Sequence, residues 1–229
     1  MNIDNVRQLL QKLSILAAML ILASCDAGFV DSEQSLGDYD SRSVVLGDVD
    51  ADGDLDMVVA NQNQGNRIYF NDGDGNFTDS GLSLDENSSQ SVALADIDGD
   101  DDLDMVVANQ NQANLIYIND GLGSFSDSGQ ALAENDSYSV ALGDIELDGD
   151  IDMVVANQGQ ANIIYLNDGL GNFSDSGQLL AENDSRAVAL GDVDGDGFLD
   201  IVIANQGQPN LIYINDDFGN FYDSGALLG

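Results

Sequence analysis

An acidic stretch that recurs at a fixed interval limits the folds open to this chain more than any other feature. The stretch begins at Asp48, and its copies begin at Asp96, Asp144 and Asp192, each 48 residues after the one before. An internal period of this length is typical of repeat proteins. The 229 residues are therefore interpreted as one continuous array rather than as a set of unrelated domains.

Each copy of the repeat has the pattern of four short β-strands. In one copy the strands are predicted at 77–84, 91–95, 104–109 and 114–119, because these segments are rich in Val, Ile, Tyr and Phe and are bounded by turn formers. The inner strands are unbroken apolar runs, which predicts burial on both faces. Four-stranded sheets packed face to face fit this pattern. We therefore predict an all-β fold, a β-propeller-like array of four four-stranded blades.

The acidic stretch has the composition of a loop that wraps around a hard cation. Ca²⁺ takes six to eight oxygen ligands at about 2.3–2.6 Å, which closely spaced carboxylates and a backbone carbonyl can supply. We predict up to four Ca²⁺ ions, in loops 48–56, 96–104, 144–152 and 192–200. The predicted ligands, with Phe198 contributing its backbone carbonyl, are Asp48, Asp50, Asp52, Asp54, Asp56, Asp96, Asp98, Asp100, Asp102, Asp104, Asp144, Glu146, Asp148, Asp150, Asp152, Asp192, Asp194, Asp196, Phe198 and Asp200.

Two of the four loops depart from the pattern. The second has Asp101 where the other loops have glycine, and Asp enters the left-handed backbone region less readily than Gly. The third has Glu146 at its second ligand position, one methylene longer than Asp. We expect all four loops to bind, and the first and fourth to bind more tightly.

The repeat resembles the FG-GAP and VCBS repeats of integrin-α-like calcium-binding β-propellers over about residues 29–229. The resemblance implies that each acidic loop joins the first two strands of a blade, and that the protein acts in adhesion, in cell-surface complexes or beside polysaccharide enzymes. Propellers of this family commonly have more blades, and residues 29–36 match the outer strand at 221–228, which leaves one strand over. A four-bladed ring, an incompletely closed monomer and a homodimer that closes a larger ring all remain open.

The amino terminus resembles that of a bacterial lipoprotein. Arg7 and Lys12 precede an apolar run over 13–23, which is too short for a membrane-spanning helix but typical of a secretory signal. Residues 22–25 resemble a lipobox, which implies lipid attachment at Cys25. We predict a lipoprotein signal peptide, with a signal helix, over 1–24, a lipidated tether with the surplus strand over 25–40, and the repeat domain over 41–229. The alternative is an ordinary signal peptide with an incidental Cys25.

Composition argues against several classes of function. The formal charge of −37 repels nucleic acid and anionic lipid, so membrane contact is expected through the lipid anchor only. The chain has no histidine and one cysteine, which leaves few of the side chains that usually perform acid–base or nucleophilic catalysis. We therefore predict that the protein is not an enzyme.

Together these features predict a calcium-stabilised, lipid-anchored binding or adhesion module for protein partners. It would lie at the bacterial cell envelope, on the outer membrane, the cell surface or the periplasmic face. A glycan-binding module or an accessory of polysaccharide processing is the alternative, because Gln/Asn-rich turns such as 61–64 recur once per repeat. We favour a turn-forming role for these amides, and a packing role for the recurring tyrosines. A calcium-dependent enzyme acting on polysaccharides is the remaining reading.

Overall fold

The structure is a computed structural model that describes residues 31–226, and within that range it is all-β and contains no helix. The strands are β1 (Ser41–Gly47), β2 (Asp56–Asn61), β3 (Arg67–Asn71), β4 (Phe77–Asp79), β5 (Ser89–Ala95), β6 (Asp104–Asn119), β7 (Phe125–Gly143), β8 (Asp152–Ala161), β9 (Ile163–Asn167), β10 (Phe173–Asp175), β11 (Glu182–Gly191), β12 (Asp200–Asn205), β13 (Leu211–Asn215) and β14 (Phe221–Asp223). We number the repeats 1 to 4, at 41–79, 89–127, 137–175 and 185–223.

The predicted signal peptide and Cys25 lie outside the described residues. The described part of the expected surplus strand, 31–36, has no strand conformation. Over 31–226 no helix has the length and hydrophobicity needed to cross a membrane.

Strand pairing separates repeat 1 from the other three. Repeat 1 forms one antiparallel sheet in the order β1-β2-β3-β4, whereas repeats 2 to 4 share a ten-stranded sheet. The sheets of repeats 2 and 3 are joined because β6 and β7 continue through the link between them, where Gln110 pairs with Asp136 and Ala113 with Glu134. Strands β8 and β11 join repeats 3 and 4 in the same way, through the pairing of Ala161 with Glu182. The observed pairing therefore differs from the expected four separate blades.

Strand β6 reverses direction within its own length and so supplies two strands of repeat 2. The Asn109 side chain donates a hydrogen bond to the Ala113 carbonyl oxygen at 2.8 Å, which closes a tight turn. The two ends of the strand also meet, because the Asn119 amide donates to an Asp104 carboxylate oxygen at 2.8 Å. Repeat 2 thus has the same hairpin that β2 and β3 form in repeat 1.

The core consists of three apolar layers, each between two successive repeats. Alternate residues of a strand point to opposite faces, so one strand contributes to two layers. In β8, Met153 and Val155 pack in the layer between repeats 2 and 3, while Val154 and Ala156 pack in the layer between repeats 3 and 4. The prediction that the inner strands are buried on both faces is confirmed there.

The array is open at both ends. Within 31–226, no buried cluster joins repeat 1 to repeat 4, and the sheets do not close on one another. Within one chain, the described repeats therefore form an incompletely closed array rather than a closed four-bladed ring. The recurring tyrosines are buried in the layers, as predicted: Tyr69, Tyr117, Tyr165 and Tyr213.

Candidate metal centres

Each acidic loop joins the first and second strands of its repeat, for example β1 to β2 around 48–55. In three loops the carboxylates at the first, third and ninth positions converge, with one oxygen from each within 4.8 Å of the others. These clusters are Asp48, Asp50 and Asp56; Asp96, Asp98 and Asp104; and Asp192, Asp194 and Asp200. A dense group of carboxylate oxygens is the ligand set that Ca²⁺ prefers.

The third loop is assembled differently because of Glu146. Its acids do not converge within the same distance in the described structure. Instead the longer side chain extends to Gly219 of the next repeat. If Gly219 carried a Cβ, that atom would lie 3.2 Å from Glu146 Oε2. Burial raises the pKa of Glu146, and the negative charges of Asp152 and Asp148 raise it further. The extra methylene therefore changes the geometry of this loop.

The ninth-position aspartates hold the loops in place as well as facing the clusters. Asp104 is fully buried. Its Oδ2 accepts a hydrogen bond from the backbone N–H of Ile97 at 3.0 Å, and its Oδ1 accepts one from the backbone N–H of Asn119 at 2.8 Å. The same pair of bonds occurs at Asp56, Asp152 and Asp200. The sequence pattern predicted only a metal-binding role for these residues. Each of them begins a buried strand, and this position could have indicated that the carboxylate also bonds to the backbone.

Two loop positions adopt left-handed backbone conformations, and only one of them was anticipated. Asp101 has φ of 73°, as expected for a residue that replaces glycine there. The other is the fourth position of each loop, which holds Gly99 in loop 2 and Gly195 in loop 4. Loops 1 and 3 have Ala51 and Leu147 there, with φ of 58° and 53°. Loop 4 alone therefore has glycine at both positions, a pattern that aligning the four loops could have revealed.

The side chains at the fifth and seventh positions lie outside the clusters. Asp52 uses Oδ1 to accept the Asp54 amide at 2.9 Å. The Asp54 carboxylate lies over the β3–β4 turn, with Oδ2 only 2.5 Å from where a Cβ at Gly73 would be. Asp102 and Asp150 cover the corresponding glycines of their repeats in the same way. The metal-binding role proposed for these positions stays a prediction.

Electrostatics within the clusters favour a bound cation. Burial raises the pKa of Asp50, and the charges of Asp56 and Asp52 raise it further. Burial raises the pKa of Asp104 to about 6, although two backbone amides oppose the shift. Asp48 Oδ1 and Asp98 Oδ1 are buried and accept no hydrogen bond in the structure. A divalent ion would neutralise this repulsion and fill these empty acceptor positions, so the residues present fit Ca²⁺.

The turns between the third and fourth strands lie beside the acidic loops and carry exposed apolar side chains. Gly121 lies so close to the Asp102 side chain of the same repeat that an added Cβ would contact it. Gly123 lies in the same way beside Asp50 of the preceding repeat. Leu122 between them is 73% exposed. Leu170 and Phe218, at the same position in repeats 3 and 4, are 72% and 78% exposed. We call these turns and the acidic loops the loop rim.

The Gln/Asn-rich turns use amide groups within the fold. Gln112 Oε1 accepts the Ser88 amide at 2.7 Å, and Gln160 Oε1 accepts the Asp136 amide at 2.7 Å. Asn157 donates from Nδ2 to the Ala161 carbonyl at 2.8 Å, as Asn109 does to Ala113. These contacts agree with the turn-forming role.

Stacked antiparallel sheets, with an acidic loop between the first two strands of each repeat, define a β-propeller-like repeat protein. The FG-GAP-like repeat matches residues 48–107, 96–155 and 144–203, and the FG-GAP repeat matches 186–226. The chain therefore belongs to the FG-GAP repeat family. No curated protein matches its sequence.

Solved structures with a similar fold include BBS1N in complex with ARL6DN. The lead-soaked crystal aligns with a TM-score of 0.58 and the mercury-soaked crystal with 0.60, both at 14% identity over 88% of this chain. The chain spans 57% and 58% of those chains, less than two thirds of their length. The Vibrio cholerae biofilm matrix protein Bap1 aligns at 19% identity over 81% of this chain and 28% of its own, with a TM-score of 0.49.

Proposed function

We propose that this protein is a calcium-stabilised binding or adhesion module that captures a protein partner through its loop rim. The observation that carries the proposal is the row of exposed apolar tips at Leu122, Leu170 and Phe218, each set between acidic loops. Exposed large apolar side chains that recur on one edge typically mark an interaction surface. Bound Ca²⁺ would lower the negative charge around these tips and make contact with a protein more favourable.

A protein partner accounts for this rim better than a glycan does. The amides that could have bound sugar hydroxyls already accept or donate within the fold, as Gln112 and Asn109 do. The BBS1N fold was solved in complex with another protein, ARL6DN, which supports a protein-binding role for a related architecture. A glycan-binding or polysaccharide-accessory role stays the alternative, without a specific contact that favours it.

The rim proposal is tested by Ca²⁺-dependent capture of envelope proteins on the immobilised protein. Replacing Leu122, Leu170 and Phe218 together by serine should abolish capture, and so should chelation of calcium. Leu179→Ser is the matched control, because Leu179 is 88% exposed but lies outside the rim. Capture that survives the triple variant would assign binding to another surface. A parallel glycan array, with and without Ca²⁺, tests the alternative ligand.

We also propose that the protein is held at the bacterial cell envelope by lipid on Cys25, which rests on the lipobox-like sequence 22–25. Expressed in a bacterium, the protein should enter the detergent phase and be labelled by a palmitate analogue, and Cys25→Ser should abolish both. An unlabelled wild-type protein, cleaved elsewhere, would favour the ordinary signal peptide. This test is independent of the rim test.

We further propose that the protein has no catalytic activity of its own. Its described cations already have partners: Arg42 lies 3.3 Å from Asp40, while Arg67 and Arg186 stack on Tyr39 and Tyr138. Few groups therefore stand ready to stabilise a developing negative charge. Turnover of anionic polysaccharides in the presence of Ca²⁺ would overturn this view.

A further inference from the structure

The contact between successive repeats is built in the same way three times. The first strand of a repeat presents a valine to the preceding repeat, and Val92, Val140 and Val188 are 6%, 7% and 9% exposed. The amide of each valine donates to a serine hydroxyl of the preceding repeat. The pairs are Val92 with Ser43 at 3.4 Å, Val140 with Ser91 at 3.4 Å, and Val188 with Ser139 at 3.3 Å.

Repeat 1 presents the same contact surface, and no other repeat within 31–226 packs against it. Val44, the counterpart of Val92, is 60% exposed, and Leu46 is 53% exposed. Leu55, in the adjoining loop, is 56% exposed. We call this surface, Val44, Leu46 and Leu55, the leading face. Internal repeats bury the valine and partly bury the two leucines, as Val92, Leu94 and Leu103 show in repeat 2.

Repeat 4 presents the complementary surface, also open. Val193 is 50% exposed, whereas its counterparts Ile97 and Ile145 are 1% and 0% exposed. Ala204 is exposed, while the matching Ala60 is fully buried. We call the surface formed by Gly191, Val193 and Ala204 the trailing face.

Glycines on the two kinds of surface show how closely the faces match. At Gly47 of repeat 1, an added Cβ would lie 2.8 Å from Leu94 Cδ1 and 2.7 Å from Leu103 Cδ1 of repeat 2. At Gly191 of repeat 4, an added Cβ would meet no atom within 4 Å. The residues equivalent to Leu94 and Leu103 in repeat 1 are Leu46 and Leu55, the exposed leucines of the leading face.

A side-chain hydrogen bond also joins each repeat to the one before it, except in repeat 1. In repeats 2 to 4 an asparagine side chain donates from Nδ2 to a backbone carbonyl oxygen of the preceding repeat. These residues are Asn119, Asn167 and Asn215, with distances of 2.8, 2.8 and 2.9 Å. Asn71 holds the equivalent position in repeat 1, and its Nδ2 donates within its own repeat to Leu55 at 3.1 Å. The carbonyl that would complete the series belongs to Val193, on the trailing face.

We propose that the leading face of one copy docks on the trailing face of a second copy, in the register of the internal repeats. Leu46 and Leu55 of the incoming copy fill the space over Gly191, and Asn71 reaches the Val193 carbonyl. Both outer faces of the described array keep the apolar residues of an internal interface. The contact is heterologous, so it closes into a ring or continues head to tail. It does not depend on the rim proposal.

One difference predicts that this contact is weaker than the internal ones. Repeat 4 has Ala187 where repeats 1 to 3 have Ser43, Ser91 and Ser139. The amide of Val44 in the incoming copy therefore meets no hydroxyl. Association between copies should be reversible and concentration-dependent, and Ala187→Ser should tighten it roughly two- to tenfold.

The test compares masses by analytical ultracentrifugation in Ca²⁺, using full chains that carry Cys25→Ser so that disulfides cannot link copies. The leading-face variant is Val44→Asp with Leu46→Asp, and the trailing-face variant is Gly191→Leu with Ala204→Asp. All four positions face solvent or open space within one copy, so each variant should keep its calcium-dependent melting temperature. Leu179→Asp serves as the control for an exposed leucine elsewhere.

The parent chain of 24.2 kDa should form dimers or longer head-to-tail assemblies, and so should the control. Each variant alone should be a monomer, while an equal mixture of the two should give one-to-one pairs and nothing larger. The proposal is overturned if the parent stays monomeric at about 100 µM. It is also overturned if either variant alone still associates, or if the mixture of the two variants does not form pairs. An unchanged dissociation constant for Ala187→Ser would likewise overturn the proposed register.

Discussion

Asn119 donates a hydrogen bond from its side chain to the carbonyl oxygen of Val49, 70 positions earlier, at 2.8 Å. The bond joins the hairpin of repeat 2 to the acidic loop of repeat 1. It recurs from Asn167 to Ile97 and from Asn215 to Ile145. Each acidic loop of repeats 1 to 3 is therefore tied to the following repeat, so that loop geometry and repeat stacking depend on each other.

This relationship predicts unequal effects of the same substitution. Asn119→Ala should lower the free energy of unfolding by about 1–2 kcal/mol more than Asn71→Ala, because only Asn119 makes the bond between repeats. Both asparagines also donate to a carbonyl of their own repeat, and Asn71 Oδ1 additionally accepts the Gly75 amide. Urea denaturation of the two variants measures it. Equal losses would show that the bond between repeats adds little stability.

Calcium should stabilise the fold strongly. At about ten times the dissociation constant, each site adds roughly 1.4 kcal/mol by mass action, so the three converged clusters would add about 4 kcal/mol. Thermal melts in CaCl₂ and in EDTA measure the effect. Mg²⁺ is the control, because it prefers a smaller octahedral site and should raise the midpoint far less. Identical midpoints in CaCl₂ and EDTA would contradict the metal assignment.

Leu147→Gly should stabilise the protein even though it removes an apolar side chain. Leu147 has φ of 53° and is 55% exposed, so its left-handed backbone is strained and its side chain buries little surface. Relief of the strain should add about 0.5–1 kcal/mol after the greater entropy of glycine in the unfolded chain is subtracted. Leu147→Ala is the control, because it keeps the strain and should give no gain. A gain in both variants would point to the side chain instead.

Asp101→Gly should tighten calcium binding at the second loop although it removes a negative charge. Asp101 occupies the left-handed position with φ of 73°, and its carboxylate is outside the Asp96–Asp98–Asp104 cluster. Strain of about 1 kcal/mol that the loop takes on when it closes around the ion weakens binding roughly fivefold, and glycine at this position should remove that loss. Asp101→Asn removes the charge but tolerates the same backbone, so it separates the two effects. Calorimetric titration that shows weaker binding for the glycine variant would indicate a site governed by charge.

The calcium-free protein should become less stable as pH rises from 4 to 7. Burial raises the pKa of Asp104 to about 6 in the folded state, above the ordinary value of 3.8 for an aspartate. Its contribution to stability is therefore fully present below the unfolded pKa and is lost as pH rises through about 6, with up to about 3 kcal/mol involved. Burial raises the pKa of Asp152 in the same direction. Urea denaturation in metal-free buffers tests this, and stability that increases with pH would contradict it.

Much of the fold could be read from local pattern. Strand β5 and both halves of β6 lie where the Val, Ile and Tyr runs predicted strands, and Tyr117 packs in a core layer as expected. The strand predicted at 77–84 is shorter, Phe77–Asp79, and belongs to the sheet of repeat 1. The convergence of Asp48, Asp50 and Asp56 also follows from their alternate spacing in a tight loop. The strain at Leu147 and the backbone bonds of Asp104 could not be read in this way, because they depend on φ angles and on partners up to 15 residues away.

By itself, the sequence determined the 48-residue period, the all-β character and the acidic loops, because these depend on residue type and on contacts within one repeat. Only the tertiary structure decided that the described array stays open, that three of its repeats share one sheet, and that the acids of the third loop do not converge as those of the other loops do. The physical reason is that repeats with nearly identical sequences have different surroundings. Val92 is buried and Val44 is exposed, although both are valines at the same position, because within 31–226 only Val92 has a preceding sheet to pack against.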